Sequence, residues 1–180
     1  MALTATIYNF DIELADTDRH VYESLSLRVA RHPSESEEYL VARLIAYLLE
    51  FAEGIEFSRG VSSPDEPPIA VRDLTGALRA WIDIGTPAAE RLNKASKAAG
   101  RVAVYTHKDP RQFLKQLEGK KIYNAEALEL YALDRAMISA LAARLERRVA
   151  FSLSVSAREL YLSIGPDHLT GRVVRLNRDV

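Results

Sequence analysis

The stretch AWIDIGTPAAERLNK, residues 80–94, places an aspartate inside a run that otherwise has the pattern of a buried strand. Side chains alternate along a strand, so Asp83 shares a face with Trp81 and lies near the strand's C-terminal end. Ligands bind at such strand ends in α/β folds. Because burying an unpaired carboxylate is costly, Asp83 requires an ion-pair partner, a metal ion or an exposed strand end.

A second acid is expected across a hairpin from Asp83. A turn centred near residue 75 places Asp83 opposite positions 66–68 of the preceding strand. The nearest acids there are Glu66 and Asp65. We therefore predict that Glu66, or in its place Asp65, faces Asp83.

A third acid and a lysine come from two predicted helices. Glu38 has apolar residues three, four and seven positions after it, so it lies on the apolar stripe of the first helix and faces inward. Lys94 is three residues from Arg91 and shares its helix face. Lys97 and Arg101 lie nearby in the sequence. Glu38 and Lys94 complete the set of candidate site residues.

Carboxylates combined with a lysine suit metal-assisted phosphodiester hydrolysis. Mg²⁺ prefers oxygen ligands and keeps several waters. The ion lowers the pKa of a bound water, and a lysine neutralises charge in the transition state. The pattern predicts Glu38, Glu66 and Asp83 as ligands of Mg²⁺ or Mn²⁺. These three acids and Lys94 would then be the catalytic residues.

Each candidate residue also has an explanation without catalysis. Asp83 is then a strand-end carboxylate paired with Arg91 or Lys94, because structural ion pairs also bury acids. Glu38 is then the inward partner of a lysine, and Glu66 an exposed loop acid. Lys94 is then part of a solvated basic face. The residue types alone leave both explanations open.

Apolar periodicity predicts the elements that position these residues. Their order is strand, strand, helix, hairpin, helix, strand, helix and then a β-rich terminal section. The first two strands form an antiparallel pair. A helix separates the strand ending at residue 84 from the strand at 101–107, which predicts a parallel crossover. We predict a single α/β domain over residues 1–180, with a mixed central sheet flanked by helices.

Caps and turns set several boundaries of these elements. Ser34 is the predicted N-cap of the first helix, in a capping box, and Gly54 ends that helix. Thr86 as N-cap and Pro87 at N1 begin the second helix. Residues 73–76 have the pattern of a type I turn.

Composition and missing motifs exclude several classes of protein. The chain has 180 residues, no cysteine and a net charge of −1. It therefore has no disulfides or thiolate zinc site, and nucleic acid can contact it only through a local basic patch. GxSxG, Walker and GxGxxG motifs are absent. No apolar stretch approaches about 18 residues, and the N-terminus has no basic region, so we expect a cytoplasmic bacterial protein without a membrane span.

The chain resembles the YaeQ family over essentially its whole length. The resemblance is carried by MALTATIYNF, ADTDRH, ARHPSESEEYLVARLIAYLLEFA, DLTGALRAWIDIGTPAAERLNKASKAA and VAVYTH. It implies a fold similar to the PD-(D/E)XK nuclease superfamily, with a restriction-endonuclease-like core and extra β-strands at both termini. In that pattern Glu38 corresponds to a metal-binding glutamate of the first helix, and Asp83 to the acid of the second hairpin strand.

Two positions depart from the superfamily pattern. Gly85 stands where the acid-x-lysine motif has its lysine, and Lys94 on the next helix is the replacement that the resemblance suggests. Pro68 stands opposite Asp83, where the resemblance implies a carboxylate, so Glu66 has to substitute. The sequence thus predicts a Mg-dependent phosphodiesterase that acts on DNA or RNA. The alternative is a non-catalytic module that binds nucleic acid or protein, which the missing motif favours.

Overall fold

The described part of the chain forms two compact units. The computed structural model describes residues 4–58 and 65–177. The first unit takes Met1–Val41 and Leu133–Val173, and the second takes Ala42–Ala132 and Val174–Val180. Each unit thus combines two stretches that are distant in sequence. The single domain over residues 1–180 stays a prediction.

A five-stranded mixed sheet organises the first unit. Its strands are β1 Thr6–Asp16, β2 Val21–Arg31, β8 Arg148–Ser156, β9 Glu159–Ile164 and β10 Asp167–Arg172. The order is β10-β9-β8-β1-β2, with β1 and β8 parallel and the other neighbours antiparallel. The predicted antiparallel pairing of β1 with β2 is confirmed. The β8–β9 hairpin lies in the predicted β-rich terminal section. Both of its turn residues, Ala157 and Arg158, have the positive φ that tight hairpin turns require.

The helix of the first unit packs its apolar side inward. This helix, α4 (Arg135–Ala142), begins at Asp134, whose Oδ1 accepts a hydrogen bond from the Met137 amide at 3.1 Å. On β1, alternate apolar side chains from Tyr8 to Leu14 are buried, which is the pattern of a strand covered on one face.

The first helix of the chain, α1 (Glu37–Leu49), begins two residues later than predicted. Its N-cap is Ser36, whose Oγ accepts a hydrogen bond from the Tyr39 amide at 3.0 Å. The prediction of Ser34 as N-cap is wrong because Ser34 belongs to the preceding turn. There its amide donates to His32 Nδ1 at 3.1 Å. The boundary between the two units falls within α1.

The prediction that α1 ends at Gly54 is also wrong, since the helix ends at Leu49. Gly54 instead lies where the chain meets the end of a strand, at Arg72. Its φ is +85°, and a Cβ atom there would lie 1.9 Å from the Arg72 carbonyl oxygen. Gly54 is therefore required by close backbone approach rather than by a helix end.

A six-stranded mixed sheet organises the second unit. Its strands are β3 Ile55–Phe57, β4 Ile69–Arg72, β5 Leu78–Ile84, β6 Arg101–Thr106, β7 Glu129–Ala132 and β11 Val174–Arg175. The order is β11-β7-β6-β5-β4-β3, and the β5/β6 and β6/β7 pairs are parallel. The prediction of one central sheet is thus corrected to two mixed sheets. The reason is that β1 pairs with β8 from the far end of the chain, a contact that no local pattern reveals.

The predicted hairpin and crossover of the second unit are confirmed. The β4–β5 turn is closed by the Gly76 amide, which donates to the Asp73 carbonyl at 2.9 Å. A hydrogen bond from the Thr75 hydroxyl lowers the pKa of the Asp73 carboxyl to about 2. Between the parallel strands β5 and β6 lies α2 (Ala89–Ala98). It begins after Ala88 without a side-chain cap, so the prediction that Thr86 and Pro87 begin it is wrong.

Two helices cover one face of the second sheet. They are α2 and α3 (Pro110–Leu117), and α3 is capped by Asp109. Leu92 of α2 and Phe113 of α3 join the same apolar cluster as Trp81 of β5. Both helices therefore lie on the face that also carries Asp83. None of the helices in residues 4–58 and 65–177 is both long and apolar enough to cross a membrane.

Candidate functional site

Asp83 is buried and fully engaged by hydrogen-bond donors. Its side chain is 4% exposed, and its Oδ2 accepts from Arg91 Nε at 2.7 Å. The same oxygen accepts from the Trp81 indole at 3.2 Å, and Oδ1 accepts from the Ile84 amide at 3.1 Å. Of the partners that the sequence left open, the structure shows the ion pair with Arg91. This pairing removes the penalty of burying an isolated carboxylate.

Arg91 joins three parts of the second unit. It reaches from α2 to Asp83 on β5, and its Nη2 donates to the backbone oxygen of Glu66 at 2.9 Å. Its guanidinium also lies 5.2 Å from the ring centre of Trp81, a cation–π contact. The hairpin, the strand and the helix are therefore held at one point by one side chain.

Lys94 lies one turn after Arg91 but has a different partner. Its ammonium pairs with the carboxylate of Asp65, which precedes Glu66. Both side chains are exposed, Lys94 at 53% and Asp65 at 68%. The predicted residues Glu66, Asp83 and Lys94 are thus brought to one part of the second unit, around Arg91.

The β4–β5 register shows what lies opposite Asp83. Ile69 pairs with Ile82, so continuing the register by one residue places Pro68 across from Asp83, as predicted. Pro68 is buried and has no side-chain oxygen. The side chain of Glu66 is exposed, which leaves Asp83 without a second buried carboxylate from this hairpin.

Glu38 belongs to the first unit, on the first turn of α1. It is half-buried, and its Oε1 accepts a hydrogen bond from the Ser139 hydroxyl of α4 at 2.8 Å. This contact ties α1 to α4. Its predicted role as a metal ligand stays a prediction.

The residues around Asp83 do not fit a divalent metal in the arrangement that the structure describes. Within residues 4–58 and 65–177, no three histidine, cysteine, aspartate or glutamate residues are grouped so that they could hold a metal ion. Asp83 Oδ2 is already paired with Arg91 Nε at 2.7 Å. The assignment of Mg²⁺ or Mn²⁺ therefore stays a prediction that requires Arg91 to move.

A second ionic cluster of this unit was not predicted from the sequence. Arg101 donates to Glu50 at 2.6 Å and to Glu129 at 2.6 Å. Tyr105 donates to Glu50 at 2.5 Å, and Tyr131 to Glu129 at 2.8 Å. The one signal of this cluster in the sequence is an acid, Glu50, directly after an apolar helix. In the structure Glu50 is buried. Arg101 therefore pairs with these two acids and does not belong to the solvated basic face that includes Lys94 and Lys97.

The ionic cluster shifts the pKa values of its members. Hydrogen bonding to Glu50 raises the pKa of Arg101, against the effect of burial. Burial alone raises the pKa of Glu129, but the bonds from Arg101 and Tyr131 reverse this and lower it. Burial and the Glu50 carboxylate raise the pKa of Tyr105 well above its usual range. At neutral pH Glu129 is therefore charged, and Tyr105 and Tyr131 are neutral.

Exposed cations accumulate where α2 and α3 cover the sheet. Residues 86–124 contain seven exposed lysine and arginine residues and three exposed acids, a balance of +4. If Asp65, the partner of Lys94, is counted as well, the balance is +3. We call these cations the basic face: Lys94, Lys97, Lys108, Arg111, Lys115, Lys120 and Lys121.

The parts of the basic face are joined by hydrogen bonds. Gln116 of α3 lies 3.4 Å from the carbonyl oxygens of Thr86 and Pro87, just before α2. The Tyr123 amide donates to Asn93 of α2 at 2.8 Å. Because α2 and α3 cover the same face of the sheet, their solvent sides form one continuous surface.

The fold and this site define a mixed α/β protein with two sheets, four α-helices in the described residues and a buried, ion-paired aspartate at a strand end. Residues 1–172 match the family model described as "YaeQ protein". The chain belongs to the YaeQ family, which confirms the resemblance seen in the sequence.

Bacterial relatives support this assignment over nearly the whole chain. The chain is 32% identical to "Uncharacterized protein YaeQ" of Escherichia coli (strain K12) over 170 residues, which is 94% of each chain. The YaeQ crystal structure from Pseudomonas syringae matches with a TM-score of 0.87 at 27% identity, over 97% of both chains. That from Xanthomonas axonopodis pv. citri matches with a TM-score of 0.86 at 30% identity, over 98% of this chain and 100% of the other.

Two of the three cations of α2, Arg91 and Lys94, provide a matched test of the Asp83 contact. Arg91→Ala leaves the buried Asp83 carboxylate without its counter-charge, so we expect the free energy of unfolding to fall by about 3 kcal/mol. Lys94→Ala breaks only the exposed pair with Asp65 and should cost less than about 1 kcal/mol. Denaturant unfolding measures both values.

Adding Asp83→Asn to Arg91→Ala removes the unpaired, buried negative charge of Asp83 and should restore part of the lost free energy of unfolding. Equal effects of Arg91→Ala and Lys94→Ala, or no recovery in the double variant, would show that the ion pair is not what stabilises this region.

Proposed function

We propose that this protein binds nucleic acid through the basic face of its second unit. The observation that carries the proposal is the local charge: seven exposed cations against three acids in residues 86–124, in a chain whose net charge is −1. Phosphate contacts by lysine and arginine supply most of the affinity of sequence-independent nucleic-acid binding. The cations are spread over two helices and their connecting loops, as contact with an extended backbone requires.

The same surface is less suited to a protein partner. Protein interfaces have an apolar centre and are depleted in lysine. On the basic face, the large apolar side chains that are exposed among the described residues are Leu114, at 37%, and Tyr123, at 57%. Between the two partners of the non-catalytic alternative, the surface favours nucleic acid. Such a partner is also in keeping with a cytoplasmic location.

A second candidate function is metal-dependent phosphodiester hydrolysis on a PD-(D/E)XK-like core. It is favoured by the convergence of Glu66, Asp83 and Lys94 around Arg91, and by the hairpin and helix order that the superfamily resemblance implies. Mg²⁺ or Mn²⁺ held by Asp83 and Glu66 would supply a water of lowered pKa. Lys94 would neutralise charge on the phosphate. In this candidate function Arg91 has to leave Asp83 first.

The binding proposal is tested by fluorescence anisotropy with labelled oligonucleotides over a series of salt concentrations. Lys120→Gln with Lys121→Gln removes two cations of the basic face. If both contact phosphates of a single strand, the slope of log K against log salt should weaken by about 1.4, from roughly 0.7 per contact. The matched control is Arg28→Gln with Arg148→Gln, which removes two exposed cations of the first unit.

We expect the control pair to leave both the affinity and the slope unchanged. An equal loss in the two pairs would indicate attraction by net charge alone. Absence of binding by the native chain at low salt would contradict the proposed function.

The catalytic candidate predicts a metal response that depends on Arg91. In calorimetric titration with Mn²⁺, Arg91→Gln should bind the ion more tightly than the native chain, because the competing guanidinium is gone. Asp83→Asn should abolish the heat. If Arg91→Gln and the native chain both give no heat, Asp83 is a structural ion-pair residue and the catalytic candidate fails.

A further inference from the structure

We infer that Tyr123 is a stacking platform for an unpaired base, so that the basic face takes single-stranded rather than duplex nucleic acid. This inference rests on the proposed function and specifies its ligand. Its starting observation is an aromatic ring, 57% exposed, that follows the exposed Lys120 and Lys121 in the chain. Both sequence neighbours of Tyr123 are held in place.

The backbone under Tyr123 is fixed from three sides. The preceding residue, Ile122, is partly buried against the apolar cluster of the second unit. The Tyr123 amide donates to Asn93 Oδ1 at 2.8 Å. The following residue, Asn124, has left-handed backbone angles, φ 53° and ψ 41°, and is the N-cap of the 3₁₀ turn Ala125–Ala127. The ring is therefore presented on an ordered support, and binding a base does not require the loop to become ordered first.

Cations come close to Tyr123 along the chain and follow its partner Asn93 on α2. Lys120 and Lys121 come immediately before it along the chain, and both are exposed. Lys97 is one helical turn after Asn93, so it lies on the same side of α2 as the side chain that holds Tyr123. Both groups of cations can contact phosphates next to a base that is stacked on the ring.

This combination distinguishes single strands from duplexes. A base offers its flat face to an aromatic side chain only when it is not stacked in a duplex, and proteins that bind single strands combine such rings with a basic groove. Lysines alone contact the backbone of either form. The ring therefore adds affinity for single strands and none for duplexes.

The test compares Tyr123→Ala with Tyr22→Ala, which removes a tyrosine of the first unit that is 60% exposed. The probes are an unpaired oligodeoxynucleotide, an unpaired oligoribonucleotide and a DNA duplex of equal length. We expect Tyr123→Ala to weaken binding of both single strands by roughly 5- to 100-fold and to leave duplex binding and the salt slope unchanged. Tyr22→Ala should change nothing, and Tyr123→Phe should retain the affinity.

Several outcomes would overturn the inference. They are an unchanged affinity in Tyr123→Ala, an equal loss for single strand and duplex, or a loss in Tyr123→Phe as large as in Tyr123→Ala. Each of these outcomes overturns only the inference about Tyr123. The proposed function still stands if the native chain binds oligonucleotides with a salt slope that depends on Lys120 and Lys121. If the native chain binds neither form, the proposed function fails together with the inference.

Discussion

The second unit is arranged around a single constraint, the buried carboxylate of Asp83. A charge at this depth requires an opposite charge and hydrogen-bond donors, and Arg91 and Trp81 supply both. Because Arg91 comes from α2, meeting this requirement fixes the helix against β5. With one side of α2 committed to the sheet, Lys94 and Lys97 are left on its solvent side. The ion pair of Asp83 with Arg91 thus determines which cations of α2 face the solvent, where a ligand can contact them.

A second ionic contact fixes the opposite face of the same sheet. Parallel neighbours point to the same face, so Val104, opposite Asp83, shares its face, whereas Tyr105 points to the other. Tyr105 and Arg101 hold Glu50 there. The second sheet is therefore anchored by charge on both faces. Through Arg91 and Arg101, these ion pairs join α2 and Glu50 to the two faces of the sheet.

Local signals in the sequence predict most of the helices and strands. The features that they miss depend on contacts that only the folded chain makes. The β4–β5 hairpin and the crossover to β6 follow from turn residues and apolar spacing within some 40 residues. The pairing of β1 with β8 joins residues 139 positions apart along the chain, so one predicted sheet is in fact two. Ser34 and Ser36 are equally good caps by residue type, and only the hydrogen bond to His32 decides between them.

The candidate site was likewise predicted only in part from local patterns in the sequence. Alternation along β5 located Asp83, and the turn located Pro68 opposite it. The partner of Asp83 depended on side-chain reach, since Arg91 and Lys94 share one helix face, and the longer, planar guanidinium also stacks on Trp81. The contact between Glu50 and Arg101, 51 residues apart, had no local signal. The sequence predicted a basic patch only as a condition for nucleic-acid binding. Which cations form it depends on which side chains the fold leaves exposed.

The central claim, that the surface of α2, α3 and the loop to Tyr123 meets a nucleic acid, is tested most directly by titrating the ¹⁵N-labelled full chain with a single-stranded oligonucleotide and following its backbone amides by NMR. The account predicts that the largest chemical-shift changes fall within residues 91–124, with Lys120, Lys121 and Tyr123 among them, and that the strands of the first unit stay unchanged. Shift changes confined to the first unit, or none at an oligonucleotide excess in low salt, would contradict it.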